Sequence, residues 1–356
     1  MKKFFAVLLS VFLAISLAGR NSANASEAAG SKTAGAAGKS LPASVTVATL
    51  NGNREKMEIE VPYNPKRLAV MDLAVLDMLD NFGLGDRVVG VSKGSSIDYL
   101  QKYVTNDSII NLGTIKEASL EAVMECEPDI IFIGGRLSAQ YDKLSKIAPV
   151  IFLATDVEIG LVQSTIENAM TVASIFGVKD TLSGLLAEYD ARVKALAKVA
   201  KNKTAVVGMV NAGGFGVLGN DGRCSIIGVE VGFENVGLSA VSPGRGGSGS
   251  GGNANGAGGK EGSSGGVSAI HGNEASFEVL VSLNPDYIFV MDRDAAIGTG
   301  GARLAREVMD NKLVAMTEAY KNGNIVILKH SNVWYTAEGG ITALGIMLSD
   351  LEAALL

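Results

Sequence analysis

Short apolar runs alternate with helical patterns along the first half of the chain. The apolar runs lie at 67–71, 87–91, 130–133 and 150–153. Between them, apolar residues recur at helical spacing over 72–82, which stops at Gly83, and over 120–126, which is closed by Pro128. Continuous apolar runs separated by helices are typical of a parallel sheet covered on both faces. The pattern therefore predicts an α/β fold.

Two long helical patterns follow, over 161–176 and 182–201, and the strand–helix alternation resumes at 204–210. The second pattern has a broad polar face and too few apolar positions for full burial, which suits a helix that bridges two bodies. We therefore expect two lobes and a bridge. The predicted boundaries are an N-terminal lobe over 46–178, a bridging helix over 179–201 and a C-terminal lobe over 202–356.

An internal repeat supports the division into two lobes. Residues 118–136 (ASLEAVMECEPDIIFIGGR) align without a gap with residues 275–293 (ASFEVLVSLNPDYIFVMDR). Each copy reads as a serine N-cap, a helix begun by glutamate, a Pro-Asp turn and a buried strand that ends at an arginine. Because ligands of open α/β sheets bind beyond the carboxyl ends of the strands, we expect Arg136 and Arg293 to face one another across a cleft.

The amino terminus has the features of an export signal. Two lysines precede an uncharged apolar run over 4–19, which is shorter than the ~20 residues of a membrane-spanning helix, and 23–25 read Ala-Asn-Ala, a cleavage pattern. We expect a signal peptide over 1–25 and a mature chain that works in the periplasm or otherwise outside the cytoplasm. Arg20 stands where a lipoprotein signal carries its lipidated cysteine, so no lipid anchor is expected.

Two segments have the composition of flexible chain. Residues 26–45 are a leader rich in Ala, Gly, Ser and Lys, and 244–266 hold about a quarter of the 44 glycines. The second segment lies shortly before His271. We interpret it as a tolerated surface insertion, since loop closure costs grow slowly with length. The sharper hypothesis is that it loosens the loop of His271.

Charge and cysteine content exclude several classes of protein. With 31 Lys and Arg against 37 Asp and Glu, the net charge is -6, which argues against a broad nucleic-acid surface. Two cysteines exclude a disulfide framework. Cys126 and Cys224 fall in different predicted lobes, and although export would allow them to pair, we expect them to stay apart.

One motif is a decoy for a nucleotide site. Residues 214–219 (GFGVLG) match the G-x-G-x-x-G string after a strand, but the dinucleotide fingerprint needs a helix that opens at the third glycine. Here 220–222 read Asn-Asp-Gly, a turn. We therefore do not expect a dinucleotide site.

Four stretches carry a resemblance to a known family. Residues 127–153 (EPDIIFIGGRLSAQYDKLSKIAPVIFL) resemble the N-terminal lobe of the substrate-binding proteins of iron–siderophore ABC importers, and 284–298 (NPDYIFVMDRDAAIG) resemble their C-terminal lobe. With 271–278 (HGNEASFE) and 333–340 (VWYTAEGG), the chain is most similar to the catecholate type, which binds enterobactin or petrobactin.

The resemblance implies a fold and a function. The fold is the class III solute-binding protein, or helical-backbone metal receptor, in which two similar Rossmann-like lobes are joined by one long helix. The function is to capture a ferric siderophore, of catecholate type, and to deliver it to an inner-membrane ABC permease. We expect a monomer that is not an enzyme and that has no intrinsic cofactor.

In that family three arginines ring the cleft, and here they match Arg136, Arg223 (in GNDGRCSIIG) and Arg293. A ferric tris-catecholate carries about three negative charges spread over planar rings, and guanidinium both pairs with oxygens and stacks on rings. The alternative is that each arginine pairs with a nearby acid. The nearby acids are Asp221, Asp292 and Asp294.

The resemblance also implies iron ligands for siderophores that supply only four donors, and these match His271 and Tyr335. Phenolate and imidazole are reasonable donors to ferric iron, although a lone loop histidine is equally a surface residue. Tyr335 lies beside Trp334 at a predicted strand end, and both are expected at the ligand. His330 is interpreted as structural. Lys93 is a further candidate cleft cation, or else a solvated loop lysine.

Glu121 and Glu278 are matched positions of the repeat. Both are predicted in the first turn of a helix, where a carboxylate favours the positive helix end, and that alone would explain them. The resemblance implies that such glutamates, one per lobe, dock onto arginines of the permease. The two explanations are compatible, and both place the glutamates on the outer face of the lobes.

Other functions fit the sequence less well. Haem, cobalamin and hydroxamate siderophores are alternative ligands of the same class of protein, and three arginines favour an acidic ligand over a neutral hydroxamate complex. An α/β enzyme that uses a metal or a nucleotide is disfavoured because the sequence contains no visible nucleophile–base pair, acid pair or histidine cluster. A structural or adhesive protein would leave the arginines at the two repeat ends unexplained.

Overall fold

The computed structural model describes residues 41–95, 97–240 and 274–356. The predicted signal peptide, residues 26–40 of the leader, the insertion at 244–266 and His271 therefore lie outside the described residues. Within the described ranges, no helix is long and apolar enough to cross a membrane.

The N-terminal lobe is built on a parallel sheet of five strands. In chain order its elements are β1 (Ser44–Leu50), β2 (Lys56–Pro62), β3 (Leu68–Met71), α1 (Leu73–Asn81), β4 (Val88–Val91), α2 (Gln101–Val104), β5 (Ile110–Asn111), α3 (Leu120–Glu125), β6 (Ile130–Ile133), α4 (Tyr141–Leu144), β7 (Val150–Phe152) and α5 (Leu161–Phe176). The strand order is β5-β4-β3-β6-β7. Alternate residues of β3 enter two different hydrophobic clusters, Leu68 and Val70 one and Ala69 and Met71 the other, because both faces of the sheet are covered.

The bridging helix leads into a second sheet. The elements from here to the carboxyl end are α6 (Leu185–Ala200), β8 (Thr204–Asn211), β9 (Gly214–Val217), α7 (Ser225–Val229), β10 (Glu234–Asn235), α8 (Glu274–Leu283), β11 (Tyr287–Asp292), α9 (Arg293–Ala296), α10 (Ala305–Met309), α11 (Glu318–Lys321), β12 (Ile325–Ile327), α12 (Ser331–Thr336) and α13 (Ile341–Leu355). The parallel order is β10-β8-β11-β12, and β9 pairs antiparallel with β8. The expected architecture, two similar α/β lobes joined by one long helix, is confirmed.

The repeat occupies the same place in both sheets. β6 lies between β3 and β7, and β11 lies between β8 and β12. The aspartate of each Pro-Asp turn binds the start of the neighbouring strand: Asp129 accepts the N–H groups of Lys66 and Arg67 at 2.7 and 2.9 Å. Asp286 accepts the N–H of Thr204 at 2.9 Å. The residue before each proline has the same left-handed backbone, with φ of 42°.

The two copies start differently. Ser119 is the N-cap of α3, and its hydroxyl accepts the N–H of Ala122 at 3.2 Å, as predicted. In the second copy α8 already begins at Glu274, so the prediction that Ser276 is an N-cap is wrong. Glu278 consequently lies in the second turn of its helix instead of the first, because this helix starts upstream of the aligned segment.

An antiparallel hairpin of β1 and β2 precedes the first parallel strand, and sequence analysis did not predict it. It begins at Ser44, within the segment 26–45 that we interpreted as a flexible leader. The hairpin is anchored to the edge of the sheet through Thr49, whose hydroxyl accepts the N–H of Phe152 at 2.8 Å and donates to its carbonyl at 3.2 Å.

Two carboxylates make hydrogen bonds from one lobe to the first N–H groups of a helix of the other lobe. Asp77 of α1 accepts the N–H groups of Thr342 and Ala343 at the start of α13, which packs against α1, α5 and α6. Glu230 accepts the N–H groups of Leu161 and Val162 at the start of α5, at 2.8 and 2.9 Å. The lobes are therefore joined by these contacts as well as by α6.

The decoy motif and the cysteines behave as expected. Residues 214–219 begin with β9, and the next helix, α7, starts only at Ser225, so the helix that a dinucleotide site needs is missing there. Cys126 and Cys224 are free, buried thiols in different lobes. Burial raises the pKa of the Cys126 thiol to about 11.

Candidate ligand-binding site

The two repeat arginines emerge where their strands end. Arg136 lies in a 3-10 turn over Gly135–Gln140 that follows β6, and Arg293 is the first residue of α9, directly after β11. The absence of a side chain at Gly134 leaves room for the carboxylate of Asp72, since a Cβ on this residue would lie 2.0 Å from Oδ2 of Asp72. Both arginines contact Tyr335, so the two repeat ends lie close together in the structure.

Both repeat arginines, together with Arg223, surround the ring of Tyr335. The guanidinium carbons of Arg136, Arg223 and Arg293 lie 5.2, 4.6 and 5.6 Å from the centre of that ring. These distances are within the range of cation–π contact. One aromatic ring is therefore held between three positive charges that come from segments far apart in the sequence.

Hydrogen bonds fix the three guanidinium groups on the same residue. Arg136 Nη2 and Arg223 Nε donate to the carbonyl oxygen of Tyr335 at 3.0 and 3.2 Å. Arg293 Nε donates to the phenol oxygen at 3.0 Å, and its Nη1 donates to Oδ1 of Asn211 at 2.7 Å. The donors are thus arranged around two oxygen atoms of one residue, the backbone carbonyl oxygen and the phenol oxygen of Tyr335.

The charges perturb one another. Burial, followed by the charge of Arg223, lowers the pKa of the Arg136 guanidinium. Burial alone would raise the pKa of the Tyr335 phenol, but the hydrogen bond from Arg293 and the charges of all three arginines hold it below its usual value. The site is therefore electropositive enough to make the Tyr335 phenolate easier to form than that of a free tyrosine, although the whole chain has a net charge of -6.

Two carboxylates, Asp72 and Glu338, lie near Arg136 and Arg223. Burial raises the pKa of Asp72, with Arg136 acting in the opposite direction. Burial also raises the pKa of Glu338 to about 7, although Arg223 and the hydrogen bond from the Cys224 N–H oppose it. That N–H lies 3.1 Å from Oε1 of Glu338.

The acids suggested as alternative partners of the arginines have several roles. Asp292 is the N-cap of α9 and accepts the N–H of Ala295 at 2.8 Å. Asp294 lies 3.8 Å from Arg293, farther than the phenol oxygen that Arg293 binds. Asp221 is exposed and lines the cavity beside Arg223. The acids moderate the positive charge of the site without replacing Tyr335 as the shared partner.

A cavity of about 140 Å³ opens beside this cluster. It is lined by residues of both lobes. Among them are Arg54, Asp72, Arg136, Arg223, Tyr335 and Glu338. Sequence analysis missed Arg54, Asp72 and Glu338. The position of Asp72 directly after the strand β3 was a usable signal, since ligands of such sheets bind beyond the strand ends.

Two expectations about the aromatic pair were wrong. Tyr335 lies on α12 and not at a strand end. Trp334 is fully buried, and its indole N–H donates to Oδ2 of Asp350 at 3.0 Å, so it does not face the cleft. Neighbouring residues of a helix point about 100° apart, which turns Trp334 into the core when Tyr335 faces the cavity.

The remaining candidates lie elsewhere. Lys93 is absent from the described residues that line this cavity. Its ammonium group donates to the carbonyl of Asn106 at 2.7 Å. His330 Nδ1 lies 2.7 Å from Oδ1 of Asp350, in agreement with a structural role. Glu121 and Glu278 are exposed, each on the repeat helix of its own lobe. His271 lies outside the described residues.

Comparison with known proteins gives the family. The pattern of the periplasmic binding protein family matches residues 68–331. The petrobactin-binding protein YclQ of Bacillus subtilis is 31% identical over 313 residues, which cover 86% of this chain and 88% of YclQ. The crystal structure of YclQ has a TM-score of 0.72 to this chain at 29% identity, covering 87% of this chain and 99% of the other.

Two further proteins agree with these matches. The ferric-anguibactin-binding protein FatB of Vibrio anguillarum is 25% identical and covers 82% of this chain and 83% of its own. The crystal structure of the periplasmic catecholate-siderophore binding protein VctP of Vibrio cholerae has a TM-score of 0.69 at 30% identity, covering 87% of this chain and all (100%) of VctP. The chain belongs to the periplasmic binding protein family.

Proposed function

We propose that this protein captures a ferric siderophore of catecholate type outside the cytoplasm and hands it to an ABC permease. The observation that carries the proposal is the group of three arginines around the ring of Tyr335. YclQ, FatB and VctP, which their names describe as binders of petrobactin, ferric anguibactin and catecholate siderophores, support the same ligand class.

The cluster has the chemistry that a ferric catecholate requires. Such a complex presents flat, electron-rich rings whose oxygens carry about three negative charges in total. Guanidinium groups stack on rings of this kind and donate to their oxygens with little loss of hydration energy. In the present structure the Tyr335 ring receives both kinds of contact, which makes it a small analogue of the ligand that we propose.

Tyr335 also offers a ligand to iron. Its lowered phenol pKa makes the phenolate more accessible, and an anionic oxygen is a hard donor that suits ferric iron. We propose that Tyr335, together with His271, completes the coordination when the siderophore supplies only four donors. With a siderophore that supplies six donors, Tyr335 would only stack and donate hydrogen bonds.

The outer faces of the lobes would serve delivery. Glu121 and Glu278 are exposed and occupy matched positions of the two repeat helices, so one carboxylate is presented by each lobe. We propose that they bind cationic groups of the permease. The protein would act as a monomer, by binding and without catalysis, after removal of a signal peptide and without a lipid anchor.

A fluorescence titration tests the proposal. Trp334 is the only tryptophan of the chain and is adjacent to Tyr335, so a ferric complex bound there should quench its emission. The panel contains ferric catecholates, their iron-free forms, haem and cobalamin. Quenching and thermal stabilisation by the ferric catecholates are expected; if none of them produces either signal, the proposal is wrong.

A further inference from the structure

The cavity beside Tyr335 is small for a siderophore complex. Its volume is about 140 Å³, whereas sites for small molecules are typically on the order of 300–1,000 Å³. A second cavity of about 490 Å³ adjoins it. The two share part of their lining, including Arg54, Thr155, Asn168 and Asp221, so they are two parts of one cleft.

Arg54 lies at the junction of the two cavities. It belongs to the turn between β1 and β2, which lies between Leu50 and Lys56. Its guanidinium lies 5.6 Å from the centre of the Phe152 ring, at the end of β7. This contact directs a charged group to the point where the larger cavity opens from the smaller one.

The turn that carries Arg54 is well defined. The Arg54 N–H donates to the carbonyl of Asn51 at 2.9 Å, and Oδ1 of Asn51 accepts the N–H groups of Asn53 and Glu55 at 2.9 and 3.0 Å. At the tip, a Cβ on Gly52 would lie 3.2 Å from the carbonyl oxygen of Ser138. Ser138 belongs to the 3-10 turn of Arg136, so the hairpin packs against the segment that carries this arginine.

The backbone of Arg54 has an unusual conformation for its residue type. Its φ is 67°, in the left-handed region that favours glycine and asparagine. A long charged side chain at such a position is a cost to folding, and residues of this kind cluster at binding sites. Glycine would adopt this backbone conformation more easily. The turn therefore does not require arginine, and the guanidinium group is what arginine adds at this position.

We propose that Arg54 is a fourth ligand-contacting arginine, which binds an anionic oxygen group at the periphery of the ligand in the larger cavity. This inference rests on the proposed function and extends it to ligand specificity. Arg136, Arg223 and Arg293 would hold the iron-bearing centre, and Arg54 would select complexes that carry a carboxylate oxygen beyond it.

Two probes separate the centre of the ligand from its periphery. The ferric complex of free catechol offers only the centre, and a ferric tris-catecholate siderophore whose backbone carries a free carboxylate offers both. We expect Arg54→Gly and Arg54→Gln each to weaken the siderophore complex about tenfold and the simple complex less than twofold. Arg54→Gly should leave the melting temperature unchanged or raise it, because glycine suits the left-handed backbone.

Lys143→Gln is the control for loss of positive charge. Lys143 is exposed on α4, directly after the turn that carries Arg136, and it lines neither of the two cavities. This variant should bind both probes within twofold of the unsubstituted protein. If it weakened the siderophore complex as much as Arg54→Gln does, a general loss of positive charge would be the explanation and the inference would be overturned.

The remaining outcomes are also decisive. Siderophore binding by Arg54→Gly and Arg54→Gln at the unsubstituted affinity, or equal weakening of both probes, would overturn the assignment of Arg54 to the periphery. If Arg136→Ala weakens both probes in the same experiment, the proposed function survives that result. Failure of the unsubstituted protein to bind either probe would overturn the proposed function and this inference together.

Discussion

The arginines of the two repeat copies contact the same residue, Tyr335, at two different oxygen atoms. Arg136, after β6, binds the carbonyl oxygen of Tyr335, whereas Arg293, after β11, binds the phenol oxygen. Arg136 stands beside Asp72 and Arg293 stands near Asp294. Duplicated strand ends thus supply two positive groups that face each other, and the sequence around each copy decides which part of the shared partner it holds.

Arg223 has no counterpart in the repeat. It comes from the turn before α7, where Cys224 has a left-handed backbone with φ of 63° and donates its N–H to Glu338. The third arginine makes the site asymmetric, with two of the three guanidinium groups on the C-terminal lobe. The comparison of the lobes therefore shows that the repeat supplies two of the three arginines and that a segment outside the repeat supplies the third.

The largest expected effect comes from removing either repeat arginine. Arg136→Ala and Arg293→Ala should each weaken a ferric tris-catecholate by about 30-fold or more, since losing one partner of a desolvated charge pair costs about 2–5 kcal/mol. Isothermal titration calorimetry gives the affinities. If one variant binds like the unsubstituted protein, the two strand ends do not contribute alike.

Arg87→Ala is the control for these variants. Arg87 also stacks on an aromatic ring, that of Phe176 at 5.4 Å, but it does not line the cavities that adjoin Tyr335. We expect ligand affinity within twofold of the unsubstituted protein. A comparable loss would mean that the effect of the arginine variants reflects folding.

Glu338→Gln tests the surroundings of Arg223, the arginine without a counterpart in the repeat, through the pH dependence of stability. The pKa of Glu338 is raised to about 7 from an unfolded value of 4.5, so the folded state holds the extra proton between these values. Stability is then greatest below the unfolded pKa and falls as the pH rises through the folded pKa, by roughly 1–3 kcal/mol. The unsubstituted protein should lose this stability between about pH 4.5 and pH 7, and the variant should not.

The measurement is thermal unfolding of both proteins over that range. Titrations common to the two chains cancel in the difference between their melting temperatures. A difference that stays constant with pH would contradict the assignment of this titration to Glu338. The variant should also bind the anionic ligand more tightly at high pH, because a negative charge beside Arg223 has been removed.

A smaller effect is expected at the Pro-Asp turns of the repeat. Asp129→Ala and Asp286→Ala should each lower the free energy of unfolding by about 1–2 kcal/mol, since each carboxylate accepts N–H groups at the start of a neighbouring strand. Urea denaturation measures the loss. A cost confined to one lobe would show that the two turns are equivalent in geometry only.

The pH dependence of the Asp286 contribution follows from its environment. The hydrogen bond from the Thr204 N–H lowers the pKa of Asp286 below 3.8. A carboxylate with a lowered pKa stabilises the fold above its unfolded pKa, and this contribution is lost as the pH falls through the folded value. The difference between the unsubstituted protein and Asp286→Ala should therefore shrink below about pH 4.

The smallest effect on binding is expected at Glu121 and Glu278. Because both are exposed on the repeat helices, Glu121→Ala and Glu278→Ala should change ligand affinity less than twofold and stability by less than about 0.5 kcal/mol. Uptake of the ferric siderophore by cells that carry the cognate permease should nevertheless fall. Normal uptake by the double variant would contradict the proposed docking role.

The repeat made much of the fold and part of the site predictable. Buried strands and long helices were found from apolar runs and helical spacing, and Arg136 and Arg293 from their place at two aligned strand ends. The contribution of Arg223 came only from resemblance. Glu338 and Arg54 were missed because their proximity depends on turns and on a hairpin that packs against the edge of the first sheet, and spacing along the chain does not encode such contacts. Asp72 was missed although its place directly after β3 was a usable signal.

Orientation around a helix axis was the other gap. Trp334 and Tyr335 are neighbours in the sequence, and only the position of α12 decides that the first is buried against Asp350 and the second faces the arginines. With α12 mistaken for a strand end, both aromatic residues were expected at the ligand. A local pattern of three apolar or aromatic residues, 333–335, is too short to distinguish these two structures.

The central claim is that positive charge at the repeat ends selects an anionic ferric complex. The most direct test compares the affinities of the unsubstituted protein for a ferric tris-catecholate, with about three negative charges, and for a neutral ferric tris-hydroxamate of similar size, by fluorescence titration at one ionic strength. We predict that the tris-catecholate binds at least about 100-fold more tightly, equivalent to about 2.7 kcal/mol. Equal affinities, or tighter binding of the neutral complex, would contradict the account.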